Sequence, residues 1–173
     1  DSASVMLVLN DAETSQKFNV NNNTVMTIVI PNTYSILWNS PAKKIIDKLY
    51  SEKEKFWNSE RLNKAKTLNL TPEQVYTMAS IVEEETNKEQ DKGLIASVYL
   101  NRINTGIKLQ ADPTVKFALK NFGLKRIRFV HLSYDSPFNT YINAGLPPGP
   151  ICTPSTKTID AVLNAPQTNY IYF

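Results

Sequence analysis

The chain has 173 residues, of which 42% are hydrophobic and 20% are charged, the ordinary composition of one folded globular domain. Its one cysteine and one histidine exclude a disulfide scaffold and any site built from several such residues, so we expect no metal and no cofactor. The net charge of +3 comes from scattered lysines, which does not indicate a nucleic-acid partner. The longest apolar runs are far shorter than the ~18 residues needed to cross a membrane.

The first part of the chain combines short apolar runs with one lysine-rich helix. Residues 5–9 and 26–30 are short and rich in β-branched residues, and they predict two strands. Ser40 followed by Pro41 is typical of a helix start, and apolar residues then recur at helical spacing as far as Trp57.

The rest of the chain predicts a succession of helices and one last strand. The helical patterns fall at residues 60–67, 72–86, 91–104, 113–121 and 155–164. Residues 170–173 predict a strand, so the expected fold class is α+β, mostly helical with short β-strands. We expect residues 1–35 to form an N-terminal segment of the same structural unit and residues 36–173 to form the main domain.

Between residues 124 and 153 the pattern changes to a long irregular stretch. This stretch and its end hold the prolines Pro137, Pro147, Pro148, Pro150 and Pro154. Long irregular segments inside a compact domain carry function more often than ordinary connections do. We therefore expect it to contribute to a functional site.

The helix predicted over residues 72–86 has the most clearly marked start in the chain. Thr71 and Gln74 form the pattern of a capping box, and Pro72 stands at the first helical position. Because the start is defined, the direction of each later side chain follows from the helical repeat.

Three adjacent glutamates end this helix, and the repeat separates them. At about 100° per residue, Glu85 returns to within about 20° of the apolar Met78, whereas Glu83 lies about 140° and Glu84 about 120° away. Only Glu85 is therefore predicted to lie on the apolar face.

A carboxylate on an apolar face must be paired or have a raised pKa, because a low dielectric disfavours the charged form. A raised pKa suits a general acid. The alternative is that the helix frays after Val82 and that Glu85 caps it or pairs with Lys88 or Lys92. Spacing alone leaves both interpretations open.

Five separate segments then stand in a fixed order. They are ASIVEEET at 79–86, Asn101-Arg102, LQADPT at 109–114, SPFNTY at 136–141 and GLPPGPI at 145–151. Together they resemble the YceG/MltG family of endolytic murein transglycosylases. The resemblance covers about residues 70–173 strongly and residues 30–57 more loosely.

This resemblance implies a lysozyme-like catalytic core at 36–173 in an enzyme that cuts nascent peptidoglycan strands. Family members are cell-envelope proteins with an N-terminal membrane anchor and a LysM-like part, both of which we expect to be absent from this chain. The expected location is the periplasmic side of the inner membrane. The expected partners are peptidoglycan glycan strands and cell-wall synthases, without nucleic acid.

The resemblance also implies the chemistry of a lytic transglycosylase. One glutamate protonates the glycosidic oxygen of the MurNAc–GlcNAc β-1,4 bond, and its carboxylate then deprotonates the C6 hydroxyl of N-acetylmuramic acid. This closes a 1,6-anhydro ring without water or a second carboxylate. The family's catalytic glutamate directly precedes Thr in the Glu-x-Glu-Thr pattern, which places it at Glu85, the residue that the helical repeat selects.

Other polar residues of the matching segments are candidates for binding the sugar. Gln110 and Asp112 are expected to hydrogen-bond sugar hydroxyls, although Asp112 followed by proline is also typical of a helix start. Asn139, Thr140 and Tyr141 suit an N-acetyl sugar, and turn formation is the alternative for them.

Two further residues are expected to support the site. Arg102 is predicted to pair with a carboxylate of the glutamate helix, with Glu83 as a plausible partner.

Residues 145–150 are expected to form a stiff wall of the cleft or, alternatively, a structural turn.

Two other functions remain open from the sequence. A hydrolytic muramidase would use Glu85 as acid and Asp112 or Asp135 as the base that activates water. A non-catalytic glycan-binding scaffold would keep the groove without turnover.

Overall fold

A computed structural model of the chain describes residues 2–173, and the protein is 53% helical. Within that range the α-helices are α1 (Ser2–Leu9), α2 (Ala12–Lys17), α3 (Ala42–Phe56), α4 (Ser59–Thr67), α5 (Pro72–Glu85), α6 (Glu89–Asn104), α7 (Asp112–Ala118), α8 (Phe129–Leu132) and α9 (Thr156–Leu163). A short 3-10 helix covers Val25–Ile28. The helices predicted from residue 42 onward are confirmed, with ends shifted by a few residues. None of the helices in the described range has the length and apolarity to span a membrane.

The predicted α+β class is wrong, because residues 2–173 contain no β-strand. Residues 5–9 belong to α1, which packs against α3, and residues 26–30 overlap the 3-10 helix. β-Branched residues favour strands only where a neighbouring strand pairs with them. Here no such neighbour exists, and burial against helices decides the conformation instead.

The third predicted strand, at residues 170–173, is an irregular tail held by side chains of α6. The Asn101 amide donates a hydrogen bond to the Tyr170 carbonyl at 2.9 Å, and Arg102 Nε donates to the Ile171 carbonyl at 2.7 Å. These bonds satisfy backbone groups that a strand partner would otherwise satisfy. Two rings of the tail contact α6, Phe173 against Tyr99 and Tyr172 against Arg102, without forming a sheet.

Helix α5 lies at the centre of the fold. The predicted capping box is confirmed: Gln74 N donates to the Thr71 hydroxyl at 3.2 Å, and Thr71 N donates to the Gln74 side chain at 2.8 Å. Every residue from Val75 to Val82 is buried, because α6, α7 and α9 all pack against α5. A helix buried all round has no single apolar face. The one-face description of α5 is therefore incomplete.

The N-terminal segment packs on α3 and forms its own small hydrophobic cluster. Its buried members are Leu9, Phe18, Val25, Ile28 and Ile46. A polar link joins this region to α5, because the buried Lys53 of α3 binds Glu73 at 3.0 Å. The Tyr76 hydroxyl adds a second link by donating to the Val29 carbonyl at 2.8 Å. The division at residue 35 stays a prediction.

The proline-rich segment 145–151 is held from two sides. A Cβ atom at Gly149 would lie 2.0 Å from the carbonyl oxygen of Asn23, so this position admits only glycine. On the other side, Ile151 N donates to the hydroxyl of the fully buried Ser80 at 3.0 Å. The segment therefore bridges the N-terminal turn and the central helix.

Candidate active site

Glu85 is the last residue of α5, and its carboxylate is half-buried. The hydroxyl of the buried Tyr99, on α6, donates a hydrogen bond to Glu85 Oε2 at 3.2 Å. Burial raises the pKa of Glu85, the Tyr99 bond lowers it, the charge of Asp112 raises it and the charge of Lys116 lowers it. The net shift is upward. Such a carboxyl keeps its proton to a higher pH than an exposed glutamate does.

Asp112 and Tyr141 form a hydrogen-bonded pair beside this carboxyl. The Tyr141 hydroxyl donates to Asp112 Oδ1 at 2.7 Å. Burial and the bond to Asp112 raise the pKa of Tyr141, so its hydroxyl remains a donor. Asp112 is exposed and is the first residue of α7, where a negative charge complements the helix dipole. The N-cap position itself is taken by Ala111, whose side chain makes no cap.

Asn139 and Thr140 are both buried, and their polar atoms bind the loop that contains them. The Asn139 amide donates to the carbonyls of Leu132 at 2.9 Å and Tyr134 at 2.8 Å, and its oxygen accepts from Tyr141 N at 3.0 Å. The Thr140 hydroxyl accepts from Ala111 N at 3.0 Å. These contacts fix Tyr141 relative to the start of α7.

Gln110 is exposed and adopts a left-handed backbone conformation, with φ of 51°. This conformation is strained for a residue other than glycine, asparagine or aspartate. Its amide N donates to the Thr140 carbonyl at 3.1 Å, which holds the strained turn in place. The Gln110 side chain is exposed to solvent.

Arg102 and Glu83 do not pair with each other, which corrects the prediction that they would. The Arg102 guanidinium donates to the carbonyls of Ile171 and Leu109, each at 2.7 Å. Glu83 instead accepts from the buried Lys92 at 3.1 Å and from the Thr158 hydroxyl. The reason is that Glu83 points between α6 and α9, whereas Arg102 reaches the loop after α6.

Two open spaces share α7 as part of their lining. A groove of about 820 Å³ is lined by Asp112, Tyr141 and residues of the segment 124–132. A smaller cavity of about 260 Å³ is lined by Glu84, Lys116 and Cys152 among others. Residues on both spaces influence the titration of Glu85. Both spaces therefore adjoin α7, and Glu85 is not among the residues that line either of them.

A reactive cysteine and a metal site are two other kinds of catalytic centre to compare with the surroundings of Glu85. Burial raises the pKa of Cys152 to about 12, so its thiol stays protonated near neutral pH and is a poor nucleophile. Across residues 2–173, no group of three or more His, Cys, Asp or Glu side chains is arranged to hold a metal ion.

Tyr99 is the functional residue that the sequence analysis did not identify. Its place among aliphatic residues indicates only a core position. However, a buried tyrosine hydroxyl requires a hydrogen-bond partner. That requirement, applied to the helix after the glutamate helix, is the signal that would have pointed to the Glu85 contact.

Comparison with known proteins adds independent findings. A family model described as the YceG-like family matches residues 2–173. The chain is 34% identical over 149 residues to the endolytic murein transglycosylase of Streptococcus pneumoniae serotype 2 (strain D39 / NCTC 7466), covering 84% of this chain and 27% of that protein. It is 43% identical over 97 residues to the endolytic murein transglycosylase of Bacillus subtilis (strain 168), covering 56% and 27%. The chain therefore matches 27% of the length of these curated relatives.

A solved structure matches the whole fold. The crystal structure of a yceG-like protein from Listeria monocytogenes aligns with a TM-score of 0.82 at 27% identity, covering 100% of this chain and 61% of that chain. The helical arrangement around α5 is thus found in a second sequence.

Proposed function

Since this chain belongs to the YceG-like family, as its motifs predicted, we propose that it is an endolytic lytic transglycosylase of peptidoglycan, with Glu85 as its catalytic residue. The substrate is the MurNAc–GlcNAc β-1,4 bond of nascent glycan strands. The observation that carries the proposal is the half-buried Glu85 carboxyl, whose pKa is raised and whose charged neighbours Asp112 and Lys116 each line an open space.

The first step needs a protonated carboxyl, and the raised pKa of Glu85 supplies it. Glu85 gives its proton to the glycosidic oxygen as the bond from this oxygen to C1 of N-acetylmuramic acid breaks. Positive charge develops at C1, and the carboxylate of Asp112 is a nearby group of opposite charge that stabilises it. Tyr141 holds Asp112 in place through the 2.7 Å hydrogen bond.

The second step uses the same carboxyl as a base. Glu85, now ionised, takes the proton of the C6 hydroxyl while the C6 oxygen bonds to C1. The product carries a 1,6-anhydro ring, and Glu85 regains the proton that it gave away. Tyr99 donates to Oε2 throughout and is a positioning residue, because it orients the carboxyl without touching the sugar.

The remaining residues bind or support. Gln110, whose side chain is exposed two residues before Asp112 in the sequence, hydrogen-bonds the sugar. Asn139 and Thr140 position Tyr141 through the buried bonds described above rather than contacting the glycan. Arg102 supports the turn that contains Gln110 by binding the Leu109 carbonyl.

The proposed place of action is the cell envelope, on the periplasmic side of the inner membrane. The relatives that are named endolytic murein transglycosylases support a place of action at the cell wall. Cell-wall synthases that produce the glycan strands are the proposed partners.

Digestion of uncrosslinked glycan strands tests the proposal. The protein, Glu85→Gln and the matched control Glu54→Gln would each be incubated with strands, and the new ends identified by mass spectrometry. We expect 1,6-anhydro ends from the protein and from Glu54→Gln, whose side chain is exposed on α3. We expect none from Glu85→Gln.

The other outcomes are also informative. Reducing ends would replace the proposal with a muramidase in which Asp112 or Asp135 activates water. Binding of strands without cleavage, unchanged by Glu85→Gln, would replace it with a glycan-binding scaffold.

A further inference from the structure

The wall of the 820 Å³ groove opposite α7 is strongly basic. Lys125, Arg126, Arg128 and His131 line it together with apolar residues of the same segment. Residues 105–131 hold six lysines and arginines and one carboxylate, a net charge of +5 in a chain whose total is +3. The rest of the chain is therefore slightly acidic, and the expectation that the positive charge is scattered is wrong, because the excess is concentrated in this segment.

The cations of this wall have no acidic partner within residues 2–173. The ion pairs formed there involve Lys and Arg residues of α2, α3, α4 and α6, and none involves Lys125, Arg126 or Arg128. Among residues 2–173, Asp112 is the only carboxylate residue that lines the groove, and it already accepts from Tyr141. The three side chains are exposed and repel one another unless an anion binds.

The local structure keeps these side chains at the groove. His131 Nδ1 accepts from Arg128 N at 3.1 Å, which closes the first turn of α8. The Asn139 amide holds the Leu132 carbonyl at the end of the same helix. Phe129 lies between these bonds and is 92% exposed. The wall thus offers two guanidinium groups next to an open aromatic surface.

We propose that this basic wall, formed by Lys125, Arg126 and Arg128, binds the carboxylates of the stem peptides that the glycan strand carries. The inference rests on the proposed function, because it requires a peptide-bearing strand at Glu85. Guanidinium groups bind carboxylates through paired hydrogen bonds, and the charge of the wall complements an acidic peptide.

The length of a stem peptide fits this assignment. The groove reaches Asp112, whose charge affects Glu85, so it begins beside the bond that would be cut. A stem of a few residues extends about 3.3–3.6 Å per residue, and so it reaches well along the groove from its sugar. A glycan strand without stem peptides has no carboxylate for this wall to bind, so the wall does not increase its affinity.

The test compares two forms of the same ligand. Uncrosslinked strands with acetylated amines would be prepared with free peptide carboxylates and with these carboxylates converted to neutral methylamides. Binding would be measured with the Glu85→Gln protein, which leaves the strands intact. The same measurement would be made with the protein that also carries Arg126→Gln and Arg128→Gln. Lys44→Gln with Lys66→Gln removes the same charge from two exposed lysines outside the groove and is the matched control.

We expect the two arginine substitutions to weaken binding of the carboxylate strands by roughly 10-fold or more and to leave methylamide strands unaffected. Binding of the carboxylate strands should also fall as salt is added. The lysine control should bind both forms as before.

Three results would overturn the assignment. They are an equal loss for both strand forms, no loss for either, or stronger competition by inorganic pyrophosphate than by an acidic peptide, which would indicate a phosphate site. Cleavage assays with Glu85 intact separate the two proposals. Charge-selective binding without cleavage would refute only the proposed function, and cleavage that ignores the carboxylates would refute only the peptide-binding wall.

Discussion

The two sides of the end of α5 place the same residue type in opposite surroundings. Glu83 points between α6 and α9, where Lys92, Ser155 and Thr158 surround it. Burial alone would raise the pKa of Glu83, but the bonds from Thr158 and Lys92 outweigh burial and lower it. Glu85 points toward Tyr99, and burial there leaves its pKa raised.

The difference teaches that the number of hydrogen-bond donors decides the direction in which burial leaves the pKa of a glutamate. Glu83, with several donors, is ionised at neutral pH and joins three helices. Glu85 has one tyrosine hydroxyl as donor and a neighbouring carboxylate, so its pKa stays raised, which suits the proton transfer proposed above. Glu83 and Glu85 are two residues apart, which is a rotation of about 200° around the helix, so their side chains face different environments.

The largest expected effect is a loss of stability at Glu83 without a loss of activity. Glu83→Gln leaves the buried Lys92 with only Glu89 as an acidic partner, so we expect the free energy of unfolding to fall by about 2–3 kcal/mol. Cleavage per folded molecule should be retained. Urea denaturation followed by circular dichroism measures the first quantity, and strand digestion measures the second.

Glu84→Gln is the control for this prediction, because Glu84 is exposed and lies outside these ion pairs. Its free energy of unfolding should stay within about 0.5 kcal/mol of the parent value. If Glu83→Gln were as stable as this control, the structural role of Glu83 would be refuted.

A smaller effect is expected at Tyr99. Tyr99→Phe removes the donor that orients Glu85, and we expect kcat to fall about 10-fold, or ~1.4 kcal/mol, with little change in KM. Loss of the donor also raises the pKa of Glu85 further. Because the reaction begins with the protonated carboxyl, the decline of activity at high pH should move to higher pH.

The matched control is Tyr76→Phe, which removes another buried tyrosine hydroxyl, one bound to the Val29 carbonyl. It should leave the pH profile in place. A rate loss at Tyr99→Phe with an unmoved pH profile would mean that Tyr99 only supports the fold.

The smallest effect is a difference in the pH dependence of stability. The raised pKa of Glu85 means that its contribution is fully present below the unfolded pKa of ~4.3 and is lost as pH rises through the folded value. Glu85→Gln should therefore match the parent in acid and become the more stable protein at neutral pH.

The opposite slope is expected for Glu83, whose pKa is lowered. Its contribution is present above the unfolded pKa and is lost as pH falls through the folded value, so the cost of Glu83→Gln should shrink in acid. Urea titrations across this pH range measure both slopes. Parallel curves for the two variants would contradict the distinction between the two sides of α5.

The sequence was sufficient to predict the central helix, because capping chemistry is local. Thr71, Pro72 and Gln74 define its start, and the helical repeat then selects Glu85. The three predicted strands failed because their residues were judged by β-branched content alone. Whether such a run pairs with a strand or packs on a helix depends on distant elements such as α3 and α6, which a local pattern does not report.

The contacts of the site were less predictable than its residues. Arg102 and Glu83 both form buried polar bonds, but their partners come from residues 69 and 75 positions away in the chain. The basic segment 125–128 was visible as sequence, yet only the fold shows that it shares a groove with Asp112 and Tyr141.

The contact between Gly149 and Asn23 has a mechanical consequence. With no room for a side chain between them, the proline-rich segment and the N-terminal turn cannot approach each other more closely. The turn is itself stiffened by the Asn21 side chain, which accepts from the amides of Asn23 and Thr24. It therefore acts as a rigid stop for the segment leading to Ile151 and Cys152, two residues that line the smaller cavity. Residues far from Glu85 in the sequence thereby limit how far one edge of the cleft can yield.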